Sequence, residues 1–217
     1  MKVSITVPEN LSEITLEQYQ RFERINNTEN QDTSFLMHKM VEIFCNIDLK
    51  DIAKVRYTDV QVVIAQINEA FNVKHKLIKT FTLGGVEFGF IPVLDDMTLG
   101  EYVDLDENIS DWDKMHKAMS VLYRPVTIKK GERYQIEEYD GMKYDDVLKH
   151  MPLDVVMGAM VFFYHLNREL LQTTLNFLQR EAENTLTIQQ RETLERNGVG
   201  ISQSMELLRE MLPNLEM

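Results

Sequence analysis

The chain has 217 residues, with 23 Lys and Arg against 35 Asp and Glu, a formal net charge of −12 at pH 7. With 44% hydrophobic and 27% charged residues, it has the composition of a water-soluble folded protein, and a chain of this size buries about 70% of its unfolded surface without a disulfide or metal staple. A single cysteine, Cys45, excludes an internal disulfide framework and a Cys-rich zinc module, and the acid excess argues against a nucleic-acid surface, which needs clustered Lys and Arg.

In chain order, residues 2–7 alternate apolar and polar side chains (Val3, Ile5, Val7) and read as a strand closed by Pro8. They lack the apolar run of a signal peptide, so no leader is expected. Thr15-Leu-Glu-Gln18 has capping-box spacing and predicts a helix from Leu16 to Ile25, followed by a polar loop over 26–31. A second helix is expected from Thr33 to Cys45 and a short one from Leu49 to Val55. Thr58-Asp-Val-Gln61 repeats the capping spacing, and Val60, Val63, Ile64, Ile67 and Phe71 form a helical stripe after it.

The period then changes. Lys79 to Ile91 reads as a hairpin turning at Gly84-Gly85. Thr98-Leu-Gly-Glu101 is a third capping box and opens a helix carrying Tyr102 and Leu105. Ser110 or Asp111 caps the next helix, which stops before Pro125, and Val126 to Glu138 forms a second hairpin turning at Lys130-Gly131. After a helical turn over Asp145–His150, Pro152 starts the longest helix, Leu153 to about Glu183, with Ala159, Phe163, Leu166, Leu170 and Phe177 in helical register. Two further helices, Thr187–Arg196 and Ser202–Leu212, complete the pattern. The expected fold is α+β, predominantly helical, with short β-hairpins inserted in the middle of the chain. It is read as one compact domain over 1–217, with a boundary near 142–151 as the alternative, leaving an all-helical 152–217. The apolar run Leu153–Tyr164 contains Asp154 and is too short for a membrane span, which needs about 20 apolar residues.

Chemistry-bearing patterns are few. Every charged side chain in 95–113 is acidic: Asp95, Asp96, Glu101, Asp104, Asp106, Glu107, Asp111 and Asp113. Asp104, Asp106 and Asn108 match the first three ligand positions of a calcium loop, but Ile109 stands where glycine is required and Met115 where a bidentate Glu belongs. The stretch is therefore expected to be a solvated acidic surface, with docking of a basic partner through Asp104, Asp106, Glu107, Asp111 and Trp112 as the sharper alternative. The histidines (His38, His75, His116, His150, His165) are scattered without metal-ligand spacing. Cys45 has no neighbouring base and reads as a core residue. No nucleophile elbow, phosphate loop or dinucleotide fingerprint is present. No enzyme, cofactor or metal is expected.

The segment Val155–Tyr164 reads as a core helix. Alternatively, Gly158 and Ala159 would let another backbone approach, while Met157, Met160, Phe162 and Phe163 supply adaptable apolar contacts to a partner.

Four segments together resemble a family of tailed-bacteriophage assembly proteins described as tail assembly chaperone-like. They are Leu11–Phe22, Thr98–Asp106, Met115–Pro125 and Pro152–Phe163, with Leu194–Gly198 after them. The resemblance implies a non-enzymatic protein that binds apolar helical segments of the tape-measure or another phage structural protein and keeps it soluble in the host cytoplasm during virion assembly. The alternative is a permanent virion component, either a head–tail connector ring subunit or a packaged internal protein.

Overall fold

The computed structural model describes residues 5–27 and 33–185, with side chains in the last helix described through Leu166 and at Arg168, Glu169, Gln172 and Thr173. Two of the three capping boxes form as the sequence predicts. Thr15 Oγ1 accepts from the Gln18 N–H at 3.2 Å, while the Gln18 side chain accepts from the Thr15 N–H at 2.9 Å. This starts helix α1, Leu16–Asn26. Helix α2, Thr33–Phe44, buries Val41, Ile43 and Phe44, and a four-residue helix α3, Leu49–Ile52, follows. Helix α4, Tyr57–Phe71, buries the expected Val60, Val63, Ile64 and Ile67. Its start corrects the sequence reading. Arg56, not Thr58, is the extended N-cap and makes no side-chain cap, while its guanidinium pairs with Asp59 at 2.9 Å. The helix thus begins two residues earlier than the Thr58 box allows.

Strands β1, Thr80–Leu83, and β2, Val86–Phe90, form the first hairpin. Gly84 and Gly85 both have positive φ, +58° and +81°, as a primed two-residue turn requires and a side chain resists. Helix α5, Leu99–Asn108, and helix α6, Met115–Leu122, come next, joined by a 3-10 turn over Trp112–Lys114. Strand β3, Tyr123–Lys130, follows α6 directly. The residue before proline disfavours the α region, and here the chain turns extended two residues ahead of Pro125. Strand β4, Arg133–Ile136, closes the second hairpin.

The two hairpins join through β2 and β3 into one four-stranded sheet of order β1-β2-β3-β4, antiparallel throughout. Phe81, Phe88, Phe90 and Tyr123 meet on one face, with ring centroids 5.3 to 5.6 Å apart. Residues 5–7 take no part in a strand, so the expected N-terminal strand is not formed by its described half; residues 2–4 lie outside the described residues. The helical residues elsewhere and the inserted sheet make the fold α+β and predominantly helical.

Helix α7, Asp145–Leu148, precedes the long helix α8, Leu153–Thr185. The start of α8 is clasped to the start of α1: the Leu16 N–H donates to Met151 O at 3.0 Å and the Leu153 N–H to Ile14 O at 2.8 Å. Ile14, Leu16, Met151 and Leu153 are all fully buried there. The chain divides into two units, 1–159 and 160–217, with the division inside α8. The helices expected over 187–196 and 202–212 lie outside the described residues.

Candidate protein-binding face

Helix α5 is amphipathic in the unusual sense. At about 100° per residue, Glu101, Asp104, Leu105 and Asn108 share one side and Leu99, Tyr102, Val103, Asp106 and Glu107 the other. Glu101 and Asn108 are 4% and 5% exposed, whereas Leu99, Tyr102 and Val103 are 78%, 58% and 42% exposed. The helix turns a carboxylate and an amide inward and an apolar stripe outward. Burying an unpaired charge is costly, so the inward face must hold compensating partners.

It does. The buried Glu101 carboxylate accepts from the Thr98 N–H at 2.7 Å and from Thr98 Oγ1 at 2.7 Å, completing the capping box. Its other oxygen pairs with Arg124 Nη2 at 2.6 Å. Burial, the largest single influence, pushes the Glu101 carboxyl up; the Thr98 hydrogen bonds and the Arg124 charge together outweigh it and hold the group below the ordinary carboxylate range. The Arg124 guanidinium lies 5.5 Å from the Tyr139 ring centre, and the Tyr139 hydroxyl donates to Asp104. Burial and this bond to Asp104 raise the Tyr139 phenol above its usual range. Asn108 donates to Asp104 O at 2.6 Å. Arg124 Nε and Nη1 are buried with no hydrogen-bond partner. Thr98, Glu101, Arg124 and Tyr139 thereby fix the rotation of α5 about its axis, and the periodicity then leaves Leu99, Tyr102 and Val103 facing solvent.

The acidic residues singled out in the sequence separate into different environments. Asp106 and Glu107 are exposed on the outward side of α5. Asp104 is half-buried and engaged by Tyr139. Asp111 caps the 3-10 turn, accepting from the Asp113 N–H at 2.9 Å, and lies 3.7 Å from Lys114 Nζ. Trp112 packs edge-on against Tyr19 at 4.7 Å, and its carbonyl accepts from Gln20 Nε2 at 2.7 Å, so half of this residue serves packing against α1. Asp104, Asp106 and Asn108, aligned with calcium-loop positions, lie within the regular helix α5, a conformation that does not wrap an ion. Among the described residues, no three His, Cys, Asp or Glu side chains are placed to hold a metal.

Other ionisable groups serve the interior. Gln20 Nε2 lies 3.1 Å from His116 Nδ1; burial and Lys149 push the His116 imidazole below its usual range, and a neutral ring accepts that amide hydrogen. Cys45 is buried, and burial raises its thiol to about 11.

On α8, Val155, Val156 and Ala159 are buried. A Cβ on Gly158 would lie 2.2 Å from the Lys76 carbonyl oxygen, so the close backbone approach expected from this glycine is made to the chain's own Lys76. Met157 is half-buried. In the second unit, Met160, Phe162 and Phe163 are half-buried, with the two phenyl rings edge-on at 5.4 Å.

No protein-family model, curated protein or solved structure matches this chain. Sequence reasoning missed Leu99 and Val103 as surface residues. Their spacing with Tyr102 was readable as a stripe, but a stripe is ordinarily assigned to the core side. Among the described residues, no helix is long and apolar enough to cross a membrane.

Proposed function

We propose that this chain is a non-enzymatic bacteriophage assembly protein, tail assembly chaperone-like, that holds apolar helical segments of the tape-measure or another structural protein in the host cytoplasm during virion assembly. The observation that carries the reading is the outward apolar stripe of α5, held in place by a buried ion pair. Contiguous apolar surface on an ordered helix marks a protein contact more often than a solvated face. The family resemblance supports the same reading. Its segments are the ones that interlock in the fold: α1 with the start of α8 through Leu16 and Leu153, and α5 with β3 through Glu101 and Arg124. They carry scaffold contacts rather than a constellation of nucleophile, base and acid. The net charge of −12 keeps such a complex dispersed.

Co-expression with the neighbouring phage structural genes and affinity capture tests the reading, together with mass spectrometry of purified particles. Co-purification with the tape-measure protein and absence from particles are expected. Stoichiometric copies in the particle would instead assign a permanent virion component.

A further inference from the structure

We propose that the outward face of α5, formed by Leu99, Tyr102 and Val103 with Asp106 and Glu107, docks a basic amphipathic helix of a partner polypeptide. The inference rests on the reading of this chain as a polypeptide-binding protein and names the site and the partner's chemistry.

The apolar component is the stripe at positions i, i+3 and i+4, the spacing with which one helix reads another. The charge component comes from where the carboxylates lie. Asp95 and Asp96 are exposed just ahead of the helix, where the dipole favours them. Asp106 and Glu107 occupy its last turn, which holds no basic residue. There the dipole is already negative, so two carboxylates are disfavoured by the helix itself. Among the described residues, no Lys or Arg forms an ion pair with Asp95, Asp96, Asp106 or Glu107. Capping and dipole thus account for the acids at one end and not for those at the other. A cationic partner relieves the C-terminal pair while its apolar side covers Leu99, Tyr102 and Val103. A second copy fits poorly, since it would bring another chain of net charge −12 against an acidic rim.

The test uses the full chain and a synthetic amphipathic peptide of about 15 residues, long enough to form a helix, with Leu on one face and Lys on the other. A matched peptide carries Glu in place of Lys. Binding is followed by fluorescence anisotropy of labelled peptide. The Lys peptide is expected to bind and the Glu peptide to bind at least about tenfold more weakly. Raising salt from about 0.05 M to about 0.5 M should weaken the Lys complex several-fold. Leu99→Ser/Tyr102→Ser/Val103→Ser should lower affinity about tenfold or more, with an unchanged circular dichroism spectrum because all three side chains face solvent. Asp106→Asn/Glu107→Gln should lower it several-fold and flatten the salt dependence; this variant carries the test if the triple variant misfolds. Equal binding of the two peptides, or undiminished binding by the charge variant, overturns the proposal. So does a concentration-dependent dimer in sedimentation velocity that the triple variant abolishes, since the face would then belong to a second copy. If a phage structural protein co-purifies equally with wild type and both α5 variants, the site assignment fails while the assembly role stands; peptide binding by a chain found to have no part in phage assembly gives the reverse.

Discussion

Replacing Gly158 with alanine should destabilise the first unit, against the normal effect of that change in a helix. In a helix interior, Gly→Ala contributes up to about 1 kcal/mol through backbone entropy. At Gly158 the added Cβ falls 2.2 Å from Lys76 O and 3.0 Å from Lys76 C, well inside van der Waals contact. A clashing side chain can swing away, but a carbonyl cannot without moving its peptide plane. The overlap therefore belongs at the upper end of the overpacking range, about 3 kcal/mol. Less the propensity gain, a net loss of about 2 kcal/mol remains, corresponding to a fall in Tm of about 4–8 °C for a protein of this size. Gly100 is the internal control. It is exposed in α5, its φ is ordinary and nothing lies within 4 Å of a Cβ built on it. Gly100→Ala should raise stability by about 0.5 kcal/mol. Urea unfolding followed by circular dichroism measures both. Should Gly158→Ala match or exceed the wild type, the close approach of α8 to Lys76, and with it the assigned packing of the apolar segment, is wrong.

Four further outcomes follow from the buried ionisable groups. Arg124→Met leaves the Glu101 carboxylate buried and unpaired and should cost about 3 kcal/mol or more, whereas Arg124→Met/Glu101→Leu should recover much of that loss; a double-mutant cycle in urea measures the coupling, and additive losses would refute it. On acidification, Glu101, whose folded carboxyl is held below its ordinary 4.5, contributes stability that is complete above 4.5 and is lost as pH falls through the folded value, so Glu101→Gln should flatten the stability profile there. His75 and His116, both pushed by burial below an ordinary 6.5, bind more protons when unfolded, so stability should already decline as pH falls below 6.5, and His116→Gln should reduce that slope. Cys45, buried with its thiol raised to about 11, should react with Ellman's reagent at pH 8 only after denaturant is added; rapid labelling of the native protein would show that the α2 end is open.

Elements whose local signals agree with one another could be read from the sequence. The boxes at Thr15 and Thr98, the Gly84-Gly85 turn and the stripe of α4 all depend on interactions within a few residues, and the backbone forms them wherever the chain lies in the fold. Thr58 shows the limit. Its spacing is right, but the N-cap must be extended, and the chain reaches the extended state at Arg56, where Asp59 pairs with the guanidinium. Residues 5–7, the described half of the expected N-terminal strand, show a related limit: alternation offers a strand but does not bring it to a sheet edge, and β1 to β4 form their sheet without these residues.

The candidate site was only half legible. Its residues lie within one acidic stretch, and Asp106 and Glu107 were placed on the surface correctly. The inversion of α5 was not readable, because Glu101 looks like one more surface acid until Arg124, far along the chain on β3, lies within 2.6 Å of it. Asp104 and Trp112 likewise looked available until Tyr139 and Tyr19 met them. Periodicity determines which side chains share a side of a helix, since that follows from backbone geometry alone. Which side faces water depends on partners distant in sequence: one buried guanidinium turns a carboxylate inward, and the leucine, tyrosine and valine opposite it are left to the solvent.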